Sequence, residues 1–282
     1  MYSLLTEDLA EAARLLPDTR NAEKARVTGI AAYTLLAKVY LTFGKHAEAR
    51  TALDEAMKAT GYGLESTTKR VFDINNKMNK EVIFALYYNK TNDNGHGYWY
   101  SANTDVMADI RNPTPEFKAI YDESDNRLAL IDTYTKIQSN LFAMTKWYDT
   151  YDATYTTQVG NDFPHLRYAD ITLMYAEALA ETDLPTALTW LNKTRIRAGL
   201  DELTSDDVKT KAEFIRELAA ERGREFALEG HRWFDLVRLG LAVEHFRNLG
   251  YTLDAHNLIF PIPQNQIEIV NNPSILWQNP GF

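Results

Sequence analysis

Apolar residues recur every three to four positions from the start of the chain. Leu4, Leu5, Leu9, Ala12, Ala13 and Leu16 predict a helix over 3–16, which Pro17 stops. Thr28 is placed to cap a second helix running to Phe43, with Gly44 as its stop. A third follows from about His46 to Thr60 and ends at Gly61. Small residues at Ala37, Ala49 and Ala56 let these two helices approach closely, while Leu36 and Tyr40 fill the gap between them. A looser copy of the same pattern runs from Tyr168 to Ala198, with Tyr175, Ala176, Leu179, Ala187, Leu191 and Ile196, its turn shortened around Pro185. A two-helix unit cannot bury its own apolar face and needs neighbours. The copies are too far apart to be tandem, so the hairpins are expected to meet in space.

Two later segments are more specific. Residues 221–240 (ERGREFALEGHRWFDLVRLG) read as a helix, and a stripe of Ile215, Leu218, Phe226, Trp233 and Val237 carries Arg222 and Glu229 with it. Charge among core aromatics has to be paired, because removing one partner of a buried pair costs about 3–5 kcal/mol. Arginines 222, 224 and 232 interleave with Glu221, Glu225 and Glu229, so salt-bridged carboxylates with lowered pKa are expected there. A glycosidase acid needs a raised one, which sets these glutamates aside as a catalytic pair. Residues 260–282 carry Pro261, Pro263, Pro273 and Pro280 among amides, the pattern of an extended, irregular tail.

Between the helical parts, 89–162 is weakly patterned and aromatic. Asn92, Asp93, Asn94, Gly95, His96, Gly97, Tyr98, Trp99, Tyr100 and Asn103 combine flat rings with amides, and their glycines admit close backbone approach. Rings of this kind suit the apolar face of a sugar, and amides suit its hydroxyls. The ligand-binding candidates are therefore Trp99, Tyr100, Tyr98, Asn94 and Asn103, with Trp147 from a second cluster that holds Tyr148, Tyr151 and Tyr155. The competing reading is anchoring of the loop by its aromatics, and packing is the default for the Trp147 cluster.

Composition narrows the function classes. A net charge of −9 argues against nucleic acid or an anionic lipid surface as the main partner. The absence of cysteine excludes disulfides, thiolate metal sites and a cysteine nucleophile. The six histidines are scattered without metal-ligand spacing, and the Asp105/Asp109, Asp122/Asp125 and Asp149/Asp152 pairs lack the ligand count of a calcium loop. No nucleophile elbow, phosphate loop or dinucleotide fingerprint occurs, so neither catalysis nor a cofactor is expected.

The spacing of Tyr33, Leu36, Ala37, Tyr40, Gly44, Ala49 and Ala56 matches the tetratricopeptide pattern. Taken in order, 2–17, 26–57, 81–88, 163–181, 192–200, 221–240 and 260–282 resemble the SusD/RagB proteins, glycan-capturing lipoproteins of Bacteroidetes outer membranes. The resemblance implies a mainly α fold, an α-α superhelix of tetratricopeptide-like hairpins with long aromatic loops and an extended tail. It implies one domain over 1–282: a first repeat part (1–62), a loop-rich part (63–162), and a second repeat part with the tail (163–282). It also implies non-catalytic capture of a glycan at the cell surface for import through a SusC-like TonB-dependent transporter. Capture of a peptide, or plain protein docking by the repeat face, is the alternative. Family members carry a secretory signal, a lipid-accepting cysteine and a long N-terminal region ahead of the matching part, so the sequence is expected to be the C-terminal portion of such a protein.

Overall fold

The computed structural model describes residues 2–17, 25–89, 101–102, 113–132, 134–138, 141–147 and 160–282. These fall into two compact units, Met1–Glu229 and Gly230–Phe282.

The first unit is built on helices α1 (Tyr2–Leu15), α2 (Gly29–Thr42) and α3 (His46–Ala56). The Thr28 hydroxyl accepts the Ala31 N–H and so satisfies one of the free donors at the start of α2. Gly44, at φ +68°, turns the chain into α3 in a left-handed conformation that a side chain would strain. After α4 (Thr68–Val71) and strand β1 (Val82–Leu86), the chain reaches β2 (Ser101–Ala102), α5 (Pro115–Lys118), α6 (Leu128–Asp132), β3 (Tyr134–Gln138) and β4 (Leu141–Met144). It returns through β5 (Phe163–Arg167) into α7 (Tyr168–Leu179), α8 (Leu184–Arg197) and α9 (Lys211–Glu225).

The mainly helical class and the meeting of the two hairpins agree with the sequence expectation. α3 packs on α7, and Ala37, Ala49, Ala56, Ala169 and Ala176 are fully buried where helices come together. Ile30, Leu36, Leu53, Ile171, Leu173, Leu191 and Phe214 complete one core. Each such buried side chain contributes about 1.5–3 kcal/mol. Among the described residues, two antiparallel sheets accompany the helices. β1 pairs with β5, Val82 opposite Arg167 and Leu86 opposite Phe163, while β4 lies between β2 and β3.

The helix expected to continue through 221–240 is broken. α9 ends at Glu225, Leu228 and Gly230 take positive φ (65° and 83°), and α10 begins only at Arg232. The break turns the Glu229 carboxylate inward rather than along a helix face. In the second unit, α10 (Arg232–Arg238) is followed by α11 (Ala242–Asn248), and Trp233 and Phe246 meet edge to face at 5.8 Å. The tail is not wholly extended: α12 (Gln264–Val270) sits within it and ends at Asn271, in the left-handed region at φ 43°. Around α12 the amides hold the irregular backbone. The Gln278 side chain both accepts the Ile262 N–H (2.7 Å) and donates to the Ile262 carbonyl (2.9 Å). Asn279 donates to the Phe260 carbonyl at 2.6 Å.

Candidate ligand site

The two ends of the aromatic middle segment meet on the helical body, while Arg127, Lys146 and Trp147 within it are also buried there. Because Leu86 lies opposite Phe163, the outgoing limb at Tyr88 and the returning limb at Gly160–Asp162 run side by side. Lys77, between α4 and β1, bridges them. Its ammonium donates to the Tyr88 carbonyl (2.5 Å) and the Gly160 carbonyl (2.7 Å), and pairs with Asp162 Oδ1 (2.9 Å). That same oxygen accepts the Tyr88 N–H at 3.0 Å. The Tyr87 ring lies 4.3 Å from the ammonium. Burial pushes the Asp162 carboxyl above its usual range, against the pull of Lys77.

Beside this neck lies a buried ionic network. β5 runs directly into α7, and the Asp170 carboxylate accepts the Arg167 N–H, so Arg167 is fixed at the helix start with its side chain inward. Its guanidinium donates to Glu229 (2.9 and 3.0 Å), Glu81 (2.8 Å), Glu225 (2.5 Å) and the Glu225 carbonyl (2.7 Å). Arg197 reaches Glu81 at 2.6 Å and also bonds Glu225. Arg127, just before α6, joins Asp125 (2.8 Å), Glu221 (2.7 Å) and Glu225 (3.0 Å). Lys146, after β4, donates to the Ala227 carbonyl (2.6 Å) and to Glu229 (2.7 Å).

These contacts set the ionisation of the glutamates. Burial alone would raise Glu225, but Arg197, Arg167 and Arg127 hold it well below the usual carboxylate range. Glu221 is held low in the same way by Arg127 and Arg224. Burial likewise opposes the charge on Arg167 and Arg127, and there the surrounding carboxylates win. On Lys146 burial wins, and its pKa is lowered despite Glu229. Fully buried glutamates kept ionised have no proton to give and no path to a substrate, which fits an ion-pairing role. The expected partners were partly different. Arg224 does pair with Glu221 (3.1 Å), but Glu225 and Glu229 are met by residues 127, 146, 167 and 197, and the Arg222 guanidinium lies over the Phe226 ring at 4.8 Å.

Of the sequence candidates, Tyr98, Trp99, Tyr100, Asn94 and Asn103 lie outside the described residues. Trp147 is inside the body at 2% exposure, with Phe72 (5.2 Å) and Phe163 (5.6 Å) against its ring. It presents no face for a sugar, so its role is packing. A polar groove of about 770 Å³ runs beside α3 and the end of α7, lined by Lys45, His46, Arg50, Asp54 and Glu181. Among the described residues no Phe, Tyr or Trp lines it, so it offers no broad ring for a sugar to stack on. Among the described residues, no cluster of three His, Cys, Asp or Glu side chains is placed to hold a metal, and no helix is long and apolar enough to cross a membrane. Reasoning from sequence missed Lys77, Asp162, Arg127, Lys146 and Arg167. The one available signal was Arg167 itself, an arginine leading directly into the apolar run of α7.

Packed helical hairpins joined by a long inserted segment and held on a buried ionic base define a mainly helical, hairpin-built protein. The chain belongs to the SusD family, whose sequence model matches residues 121–282. It is 27% identical to SusD-like protein P2 of Formosa agariphila over its whole length, and spans 65% of that relative's length. Among solved structures it is similar to a laminarin binding SusD-like protein (25% identity, TM-score 0.73, 100% of this chain and 68% of the other). It also shares its fold with surface glycan-binding protein A from Bacteroides thetaiotaomicron in complex with laminarihexaose (19% identity, TM-score 0.75, 99% of this chain and 70% of the other).

Proposed function

We propose that this chain takes part in non-catalytic capture of a glycan at the cell surface, for import through a SusC-like TonB-dependent transporter of the outer membrane. The observation that carries the reading is the family match, joined to likeness over the whole chain with a relative described as laminarin binding. The ligand-facing residues proposed are Trp99 and Tyr100 for stacking, with Tyr98, Asn94 and Asn103 beside them. In sequence, Tyr98–Tyr100 directly precede β2, whose backbone pairs with β4. The exposed Leu4, Leu15 and Phe43 on the α1–α2 surface suit contact with a protein such as the transporter.

Calorimetry against laminarihexaose and a panel of plant, host and microbial glycans tests this. Trp99→Ala is expected to weaken binding by about 2 kcal/mol, the scale of losing an aromatic anchor at a binding surface, at unchanged Tm. Binding to no glycan by a well-folded chain would overturn the capture reading for these residues. Wild-type affinity in Trp99→Ala would move the site elsewhere.

A further inference from the structure

The three N–H donors of the Lys77 ammonium are matched by three acceptors, and these sit on both limbs of the neck: Tyr88 O on the way out, Gly160 O and Asp162 Oδ1 on the way back. We infer that Lys77 and Asp162 are positioning residues, a clamp that holds together the two ends of the ligand-bearing segment and so sets glycan affinity without touching the glycan. The inference rests on the capture reading for its affinity consequence, though not for the clamp itself.

Three features distinguish this clamp from an ordinary surface ion pair. Lys77 is contributed by a third stretch of chain, outside both limbs, so it ties them to the body as well as to each other. Its bonds go to main-chain carbonyls, which fixes backbone rather than side chains. Asp162 closes the circuit, because one oxygen receives both the ammonium and the Tyr88 amide. The Asp162 side chain is 10% exposed, so water competes poorly for these bonds. Beyond the β1–β5 ladder, no strand pairing among the described residues holds Tyr88 to Gly160. Where binding requires the limbs in one geometry, apparent affinity falls in proportion to the fraction of molecules that hold it.

The test compares Lys77→Met, Asp162→Ala and Asp162→Asn in the full chain, with laminarihexaose or the best glycan from the panel as probe. Amide hydrogen exchange and Tm are measured alongside. The asparagine keeps the oxygen that accepts from Lys77 and Tyr88, so it is the conservative control. Expected results are about tenfold weaker binding for Lys77→Met and Asp162→Ala, which corresponds to a competent fraction near one in ten. Asp162→Asn should stay within about threefold of wild type on the same relation. Exchange should quicken at the Tyr88 amide and at 160–162 while α2, α3 and α7 keep their protection and Tm holds.

Unchanged exchange at Tyr88 and at 160–162 in both Lys77→Met and Asp162→Ala would overturn the clamp. So would a loss of protection spread evenly over the helices in both variants, which would make these residues merely structural. If wild type binds no glycan, the capture reading fails by itself, and the exchange measurements still decide whether the clamp exists.

Discussion

Arg167→Met is expected to destabilise the chain by about 3–5 kcal/mol, the cost of leaving buried charge without its partner. All five N–H groups of this guanidinium are used, on Glu81, Glu225, Glu229 and the Glu225 carbonyl. Phe226 packs against it at 4.5 Å, and the side chain is fully buried, so bulk water does not reach the lost donors' positions in the native fold. Methionine fills similar space but leaves three buried carboxylates facing a thioether. Domains are stable by only about 5–15 kcal/mol, so the variant should lose a large share of its stability. Arg167→Lys should do little better, because three donors on one atom cannot span the fork of a guanidinium. Urea unfolding followed by circular dichroism measures both. A shift below about 1 kcal/mol for Arg167→Met, the range of an exposed ion pair, would show that the network carries little stability.

The second large effect is acid unfolding. Glu225 and Glu221 titrate below their ordinary value in the folded chain. A carboxylate depressed by folding stabilises the native state at pH above its unfolded value, and that stability is lost as pH falls through the folded value. Tm should therefore be level from about pH 8 to 5 and fall steeply below about pH 4.5, where unfolded glutamates take up protons. Asp162 works in the other direction: its raised value lets the folded form protonate more readily, which softens the first part of the decline. Lys146, lowered by burial, gains stability only as pH rises through its folded value and adds nothing on the acid side. Calorimetric scans between pH 8 and 3 decide this. A steady fall of Tm between pH 7 and 5, or a flat profile down to pH 3, would contradict it. The acid limb should also resist added salt, since these pairs are dry.

How far the sequence could be read depended on whether the determinants were local. The helical hairpins follow from apolar spacing, from the Thr28 cap and from the Gly44 stop, all contained within a few residues. The same rule failed at 226–231. There the apolar period runs on through the break, although Gly230 stood in the sequence as a stop signal. Helix α12 was obscured by the prolines around it; Pro263 and Asn271 in fact bound it rather than exclude it. The charge in the 221–240 run announced that it would be paired, but not by what. Arg167 and Glu225 are 58 residues apart, and Arg127 and Glu221 are 94 apart. No periodicity spans such distances. Trp147 illustrates the same limit for candidate sites, because a tryptophan in a polar stretch looks alike in sequence whether it faces a sugar or Phe72.

The ionic network also fixes a schedule for the chain's birth. Arg127, Lys146, Arg167 and Arg197 are all synthesised before Glu221, Glu225 and Glu229 leave the ribosome. Until then the interior holds cations whose main counter-charges do not yet exist, and closing it around them is unfavourable. The helical hairpins can form early, but the centre of the first unit locks only once residues 221–229 have been made. Contacts this distant in sequence slow folding. A nascent chain arrested before Glu221 should accordingly remain open to protease and chaperone, and the passage from residue 221 to 229 is the step that commits it to its native form.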